Sequence, residues 1–230
     1  PGFLDLGLNG ITPGIGPKTN FMWQFETVIR DGVKNIVCFG ADNAANIAQN
    51  AAPVAYVGPI EANPGTQLNP ITLPAAANGG ICYSNPFLFA YGSNGYVAYS
   101  RPADPLDFTG NGSGSLTISN DKVIFGSAIR GGSNSPSLLF WTQGSVVKVN
   151  NVGDIAVNFK IDVISKSSSI LSSRCVVEYD GVFFWIGTDR FFVYNGIVQE
   201  MPNTMSLNYF FYIKRINSCL FYQKGYLLFR

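Results

Sequence analysis

The chain has 230 residues, enough for one large all-β domain or two small ones. Charged residues make up 13% of it and the net charge is +1. That excludes wrapping nucleic acid by bulk electrostatics, and so charge-poor a surface points to contact with other subunits or a larger assembly. There is no histidine, so Ser-His-Asp and Cys-His catalysis and His-based zinc sites are excluded within this chain.

Apolar residues at 47%, aromatics at 14% and 25 glycines supply a core, strands and tight turns. In chain order, residues 1–33 read as irregular, because glycine and proline are dense in the first twenty. From residue 34 onward one pattern recurs: an apolar run, a turn with Gly or Asn, then a second apolar run. It appears in "KNIVCFGADNAANIAQ" from Lys34, "NPFLFAYGSNGYVAYS" from Asn85 and "SPSLLFWTQGSVVKVN" from Ser135. It returns in "GVFFWIGTDRFFVYNG" from Gly181 and "NSCLFYQKGYLLFR" from Asn217. The spacing of about 35–50 residues is that of propeller blades. The turns "SNG" (93–95), "TQG" (142–144), "YDG" (179–181) and "YNG" (194–196) suit hairpins. "FFWI" shows no alternation, which predicts a strand buried on both faces.

Between these units, 41–52 has alanines at helical spacing broken by asparagines, giving one or two helical turns or a loop. Residues 58–80, rich in Pro, Gly, Asn and Ala, read as an inserted loop between blades. Residues 107–118 read as a glycine-rich loop and 164–173 as a serine tract. The expected fold is therefore an all-β propeller over 34–230, built of antiparallel hairpins with irregular inserted loops. The chain opens without methionine and reaches "KGYLLFR" inside a predicted strand, so a piece of a longer polypeptide is expected. No apolar run approaches the ~20 residues of a transmembrane helix.

Cys38, Cys82, Cys175 and Cys219 sit in or beside apolar runs with no C-x-x-C spacing, which predicts buried thiols acting as small hydrophobes. Carboxylate pairs for glycoside hydrolysis could come from Asp104/Asp107, Asp180/Asp189 and Glu178. However, Asp180 precedes a glycine, and Asp104 and Asp107 flank Pro105, as turn formers do. "EYDGVFFW" lacks the spacing of a sialidase Asp-box. Calcium loops, a phosphate loop and the WD dipeptide are not found, and "IRGGSNSP" has a kelch-type double glycine without the aromatics that should follow. No enzyme activity, metal or cofactor is expected. A carbohydrate-binding or hydrolysing propeller would use exposed aromatics, but of Trp23, Trp141 and Trp185 the last two lie in apolar runs and read as core. A propeller adaptor in a cellular scaffold is a further alternative.

Four features together carry a resemblance: "SRPADPLDF" after a strand, "GG" followed by "SPSLLFWT", the tract "SSSILSS", and "YDGVFFWIGTDRFFVYNGIVQEMPN". Over residues 85 to about 213 the chain resembles β-propeller tail hub or nozzle proteins of short-tailed bacteriophages, the packaged-DNA stabilisation type. The resemblance implies a virion protein forming a ring, about six copies in number, below the portal and adaptor proteins. Such a ring continues the double-stranded DNA channel, retains genome and carries fibres or spikes. It implies no membrane partner. Lys214 and Arg215 are the basic pair that could approach DNA in the channel.

Overall fold

The computed structural model describes residues 23–40, 53–60, 68–129, 137–153 and 159–202. These residues are almost entirely strand and turn, with one short 3₁₀ turn at Ser93–Gly95. The strands form four antiparallel four-stranded sheets, each made of strands consecutive in sequence. The first holds β1 (Gln24–Arg30), β2 (Val33–Phe39), β3 (Val54–Pro59) and β4 (Asn69–Thr72). The second holds β5 (Gly80–Ser84), β6 (Phe87–Tyr91), β7 (Tyr96–Tyr99) and β8 (Gly114–Thr117). The third holds β9 (Val123–Ala128), β10 (Ser137–Thr142), β11 (Val146–Asn151) and β12 (Phe159–Ser165). The fourth holds β13 (Val176–Tyr179), β14 (Val182–Ile186), β15 (Phe191–Tyr194) and β16 (Val198–Glu200). The all-β reading thus holds, as four sheets of hairpin-linked strands.

The sheets stack face to face in chain order. A strand points successive side chains to opposite faces, so a sheet between two others must be apolar at every position. β6 reads "FLFAY" and is buried throughout. Its Leu88 and Ala90 pack with Val28, Val37 and Val57 of the first sheet. Its Phe87, Phe89 and Tyr91 pack with Leu138, Phe140 and Phe159 of the third. β10 behaves the same way: Leu138 and Phe140 face the second sheet, while Leu139 and Trp141 face Phe183 and Trp185 of the fourth. Aromatic rings meet edge to face across both later junctions, with Phe89 and Phe140 centroids 6.2 Å apart and Trp141 and Trp185 5.7 Å apart.

The first strands lie side by side at one edge of the stack: β1 runs beside β5, and β5 beside β9. Gln24 of β1 stitches the first pair, its Oε1 accepting the Ile81 N–H at 2.9 Å. Gly126 of β9 allows the next close approach, since a Cβ there would lie 2.7 Å from the Phe140 ring and 3.0 Å from that of Tyr91.

Two hairpins use the same turn chemistry. Asp180 and Gly181, joining β13 to β14, have φ of 51° and 75°; Asp31 and Gly32, joining β1 to β2, have 51° and 76°. Positive φ at both central residues is the type I′ signature, whose twist matches that of the flanking strands. The "TQG" turn differs. Gly144 has no positive φ, and the turn is closed instead by Thr142, whose Oγ1 accepts the Ser145 N–H at 3.1 Å.

Four expectations need correction. β1 lies inside the 1–33 stretch read as irregular, and its Asp31-Gly32 turn is the reason the chain can form a strand there. The 58–80 stretch contains the end of β3 and all of β4, which closes the first sheet. The 107–118 stretch ends in β8, whose Gly114–Thr117 pairs with β7. "FFWI" is not buried on both faces: Phe183 and Trp185 are buried, while Phe184 and Ile186 are half-buried. The alanine- and asparagine-rich stretch 41–52 lies outside the described residues.

Gly181→Val places a β-branched side chain in the left-handed region and is expected to cost about 1–2 kcal/mol. Gly144→Ala, with open space at its Cβ position and no positive φ, should stay within about 0.5 kcal/mol of the parent. Thermal denaturation followed by circular dichroism checks both, and a Gly181→Val variant that melts like the parent would contradict the turn assignment.

Candidate functional site

The acidic residues singled out for chemistry fall in three places, with Asp180 and Asp189 at opposite ends of β14. Asp104 and Asp107 lie in the connection from β7 to β8, which doubles back through paired backbone groups of Arg101 and Asp104. Asp107 Oδ1 accepts three hydrogen bonds: Thr109 N–H at 2.8 Å, Thr109 O–H at 2.8 Å and Gly110 N–H at 3.1 Å. Its other oxygen pairs with Arg101 at 3.1 Å. These bonds, those from Thr109 foremost, hold its pKa below the usual carboxylate range. Asp104 Oδ1 accepts the Leu106 N–H at 3.0 Å, and its Oδ2 accepts from Arg30 Nη2 at 2.9 Å. Arg30 ends β1, so this bond fastens the connection of the second sheet to the first. Leu106 and Phe108 in the same connection pack onto the core between those two sheets. Both carboxylates are thus clasps: one shapes the loop and the other ties it across the junction.

Glu178 and Asp180 share the β13–β14 hairpin. Glu178, rather than Asp180, bonds the turn backbone, accepting the Gly181 N–H at 2.9 Å. Asp180 is exposed and contributes through its positive φ. Asp189 is bonded by Arg190 at 2.8 Å, and Arg190 also bonds Glu200 of β16. These are surface pairs, worth little individually.

Trp141 and Trp185 are core residues, as their apolar surroundings predict. Trp185 lies in parallel stack with Phe192 and donates its Nε1–H to the Ser169 carbonyl at 3.1 Å. Trp23 is half-buried on the outer face of the first sheet, 6.5 Å from Tyr56.

A second polar cluster sits where the first strands converge. The Gln24 oxygen and the Tyr91 hydroxyl share a niche that exists because residue 80 is glycine. Tyr91 is fully buried, and burial, followed by the neighbouring Cys82, raises its pKa well above the ordinary phenol range. The Cys82 thiol is also raised, by burial first and then by the Glu26 charge. Burial raises Cys38 as well. Cys175 departs from the expectation of burial. It is half-exposed and donates its S–H to the Ser172 carbonyl at 2.8 Å.

Lys214, Arg215 and Cys219 lie outside the described residues. Among the described residues no three His, Cys, Asp or Glu side chains converge as metal ligands would, and no helix is long and apolar enough to cross a membrane. The residues missed by sequence reasoning are Arg30 and Gln24. Arg30 meets an acid 74 positions away, which no local pattern marks. Arg101, by contrast, sits inside the quoted "SRPADPLDF" and could have been paired with Asp107 by inspection. No family model matches the chain, and no curated protein is significantly similar to it.

Acid should loosen the β7–β8 connection selectively. A carboxylate with a lowered folded pKa contributes stability above its unfolded pKa and loses it as pH falls through the folded one. Amide exchange at Thr109 and Gly110 is therefore expected to rise below the usual carboxylate range, and Asp107→Asn should show raised exchange already at neutral pH. Thiol alkylation read by peptide mass spectrometry should modify Cys175 in the native protein and reach Cys38 and Cys82 only after denaturation.

Proposed function

We propose that the four sheets are blades of a β-propeller, and that the protein is an architectural ring subunit of a bacteriophage tail. In this reading a hexameric hub or nozzle continues the DNA channel below the portal and adaptor, and carries fibres or spikes. The observation that carries the reading is the strand order. Each sheet is a meander of consecutive strands, the sheets stack in chain order, and β1, β5 and β9 lie side by side, as the innermost strands do around a propeller axis. The likeness of residues 85 to about 213 to tail hub proteins supplies the functional part. Two physical features support it. The chain carries few charges and a net charge of +1, which suits large permanent subunit contacts and a channel through which DNA slides without being held. The acidic residues that could serve hydrolysis are engaged in turns and ion pairs.

The test is electron microscopy of the purified protein with its mass in solution, run beside a glycan-array screen. The expected result is a ring of about six copies with an open centre and no retained glycan. A monomer that retains a glycan would overturn the tail reading in favour of a carbohydrate-binding propeller.

A further inference from the structure

The last strands of the four sheets, β4, β8, β12 and β16, form the outer edges of the stack. An edge strand leaves a row of N–H and C=O groups unpaired, and proteins blunt such edges with short strands or proline. Three of the four follow that rule. β4, β8 and β16 have four, four and three residues, and β4 contains Pro70. β12, "FKIDVIS", has seven residues and neither proline nor glycine. Among the described residues it pairs with β11 alone. Its Ile161 is 37% exposed and its Val163 49%. Lys160 and Asp162, on the other face, form an ion pair at 3.2 Å.

We propose that β12 pairs antiparallel with β12 of a second copy of this chain, about a two-fold axis through Ile161. Self-complementarity selects this occupant. The ladder to β11 is regular from Phe159 to Val163, and the register shifts beyond it. That regular part reads Phe-Lys-Ile-Asp-Val, and turned end for end about Ile161 it matches itself. Phe159 meets Val163 of the second copy, Lys160 meets Asp162, and Ile161 meets Ile161. Each opposed pair is apolar with apolar or cation with anion, the combinations that stabilise antiparallel strands. Centring the axis on Lys160 or on Asp162 would oppose two like charges, which destabilises pairing, so the charges also fix the register. The bond ladder then runs on from one four-stranded sheet into the other. Such a contact is isologous and joins chains, or rings of chains, two at a time. The inference rests on the edge of the third sheet and goes beyond the tail reading.

The test is the mass in solution of the full chain and its variants, by sedimentation, with electron microscopy beside it. The parent is expected to associate two by two. Lys160→Asp opposes acid to acid twice in each pair, and Asp162→Lys opposes base to base twice. Both side chains reach solvent, so each variant should keep the parent melting transition. Each should raise the concentration of half-association roughly tenfold and so halve the mass at a fixed concentration. Mixing the two variants sets acid against base again and should restore the parent mass. Ile161→Cys reads the register. Oxidation should link position 161 to position 161 of the other copy, and do so more completely than Val163→Cys links 163 to 163, since Val163 lies opposite Phe159. A parent without a paired species, single variants with the parent mass, a mixture that stays at half mass, or equal linkage at 161 and 163 would each overturn the proposal. Halving that leaves rings intact in the microscope supports this contact and the ring alike. Halving to single chains supports this contact and counts against the ring alone.

Discussion

The interaction on which the rest of the structure depends is the burial of one sheet between two others. It demands strands with no polar face, and β6 and β10 meet that demand with "FLFAY" and "LLFWT". Their backbone groups are satisfied along the ladders, so the buried interior needs few polar side chains. Fully burying a large apolar side chain is worth about 1.5–3 kcal/mol, and each of these strands supplies several. The turns follow from the same constraint. Short loops keep strands in register, and a slip of one residue would exchange the two faces of a strand and misplace its aromatic partners.

The three junctions are not built alike. Between the second and third sheets, and between the third and fourth, rings of Phe, Tyr and Trp interlock. Between the first and second, the buried residues are mostly aliphatic, among them Val28, Val37, Ala55, Leu88 and Ala90, with Phe39 the one buried ring of that cluster. The missing bulk comes partly from the β7–β8 connection, which lays Leu106 and Phe108 onto that core. The Arg30–Asp104 bond therefore sits where a loop substitutes for larger side chains. An ion pair with Asp104 largely shielded and Arg30 half-exposed contributes more to placing that loop than to net stability.

The middle strands were legible in the sequence, and of the outer ones β13, leading into the "YDG" turn, was legible too; the shorter edge strands were not. "NPFLFAYGSNGYVAYS", "SPSLLFWTQGSVVKVN" and "GVFFWIGTDRFFVYNG" coincide with β6–β7, β10–β11 and β14–β15. A strand pressed on both faces writes an unbroken apolar run. Edge strands such as "NPIT", "GSLT" and "VQE" are short and partly solvated, so they resemble loops by composition. β1 was hidden differently, by the glycines and prolines before it. The carboxylates read as turn formers are so: Asp104 and Asp107 through their own side chains, Asp180 through its backbone. Their basic partners were less visible, because Arg30 reaches Asp104 only once two sheets have met. The buried Gln24–Tyr91 niche depends on three strands at once and leaves no periodic trace.

Separate cores between consecutive sheets have a consequence for how the molecule comes apart. Each sheet is a contiguous block of sequence, and among the described residues the core clusters join only consecutive sheets, so cooperativity is close to one-dimensional. Every block is bound internally by short-range hairpins, which form quickly, and externally by one or two interfaces. Among the described residues, the second and third sheets are held on both sides and are the deepest units. An outer sheet can open as a whole while they persist, and local opening then costs far less than global unfolding. In such a molecule a lesion in one hairpin is confined largely to its own block and the interface beside it. The strength of the whole is set by the weakest junction in the row.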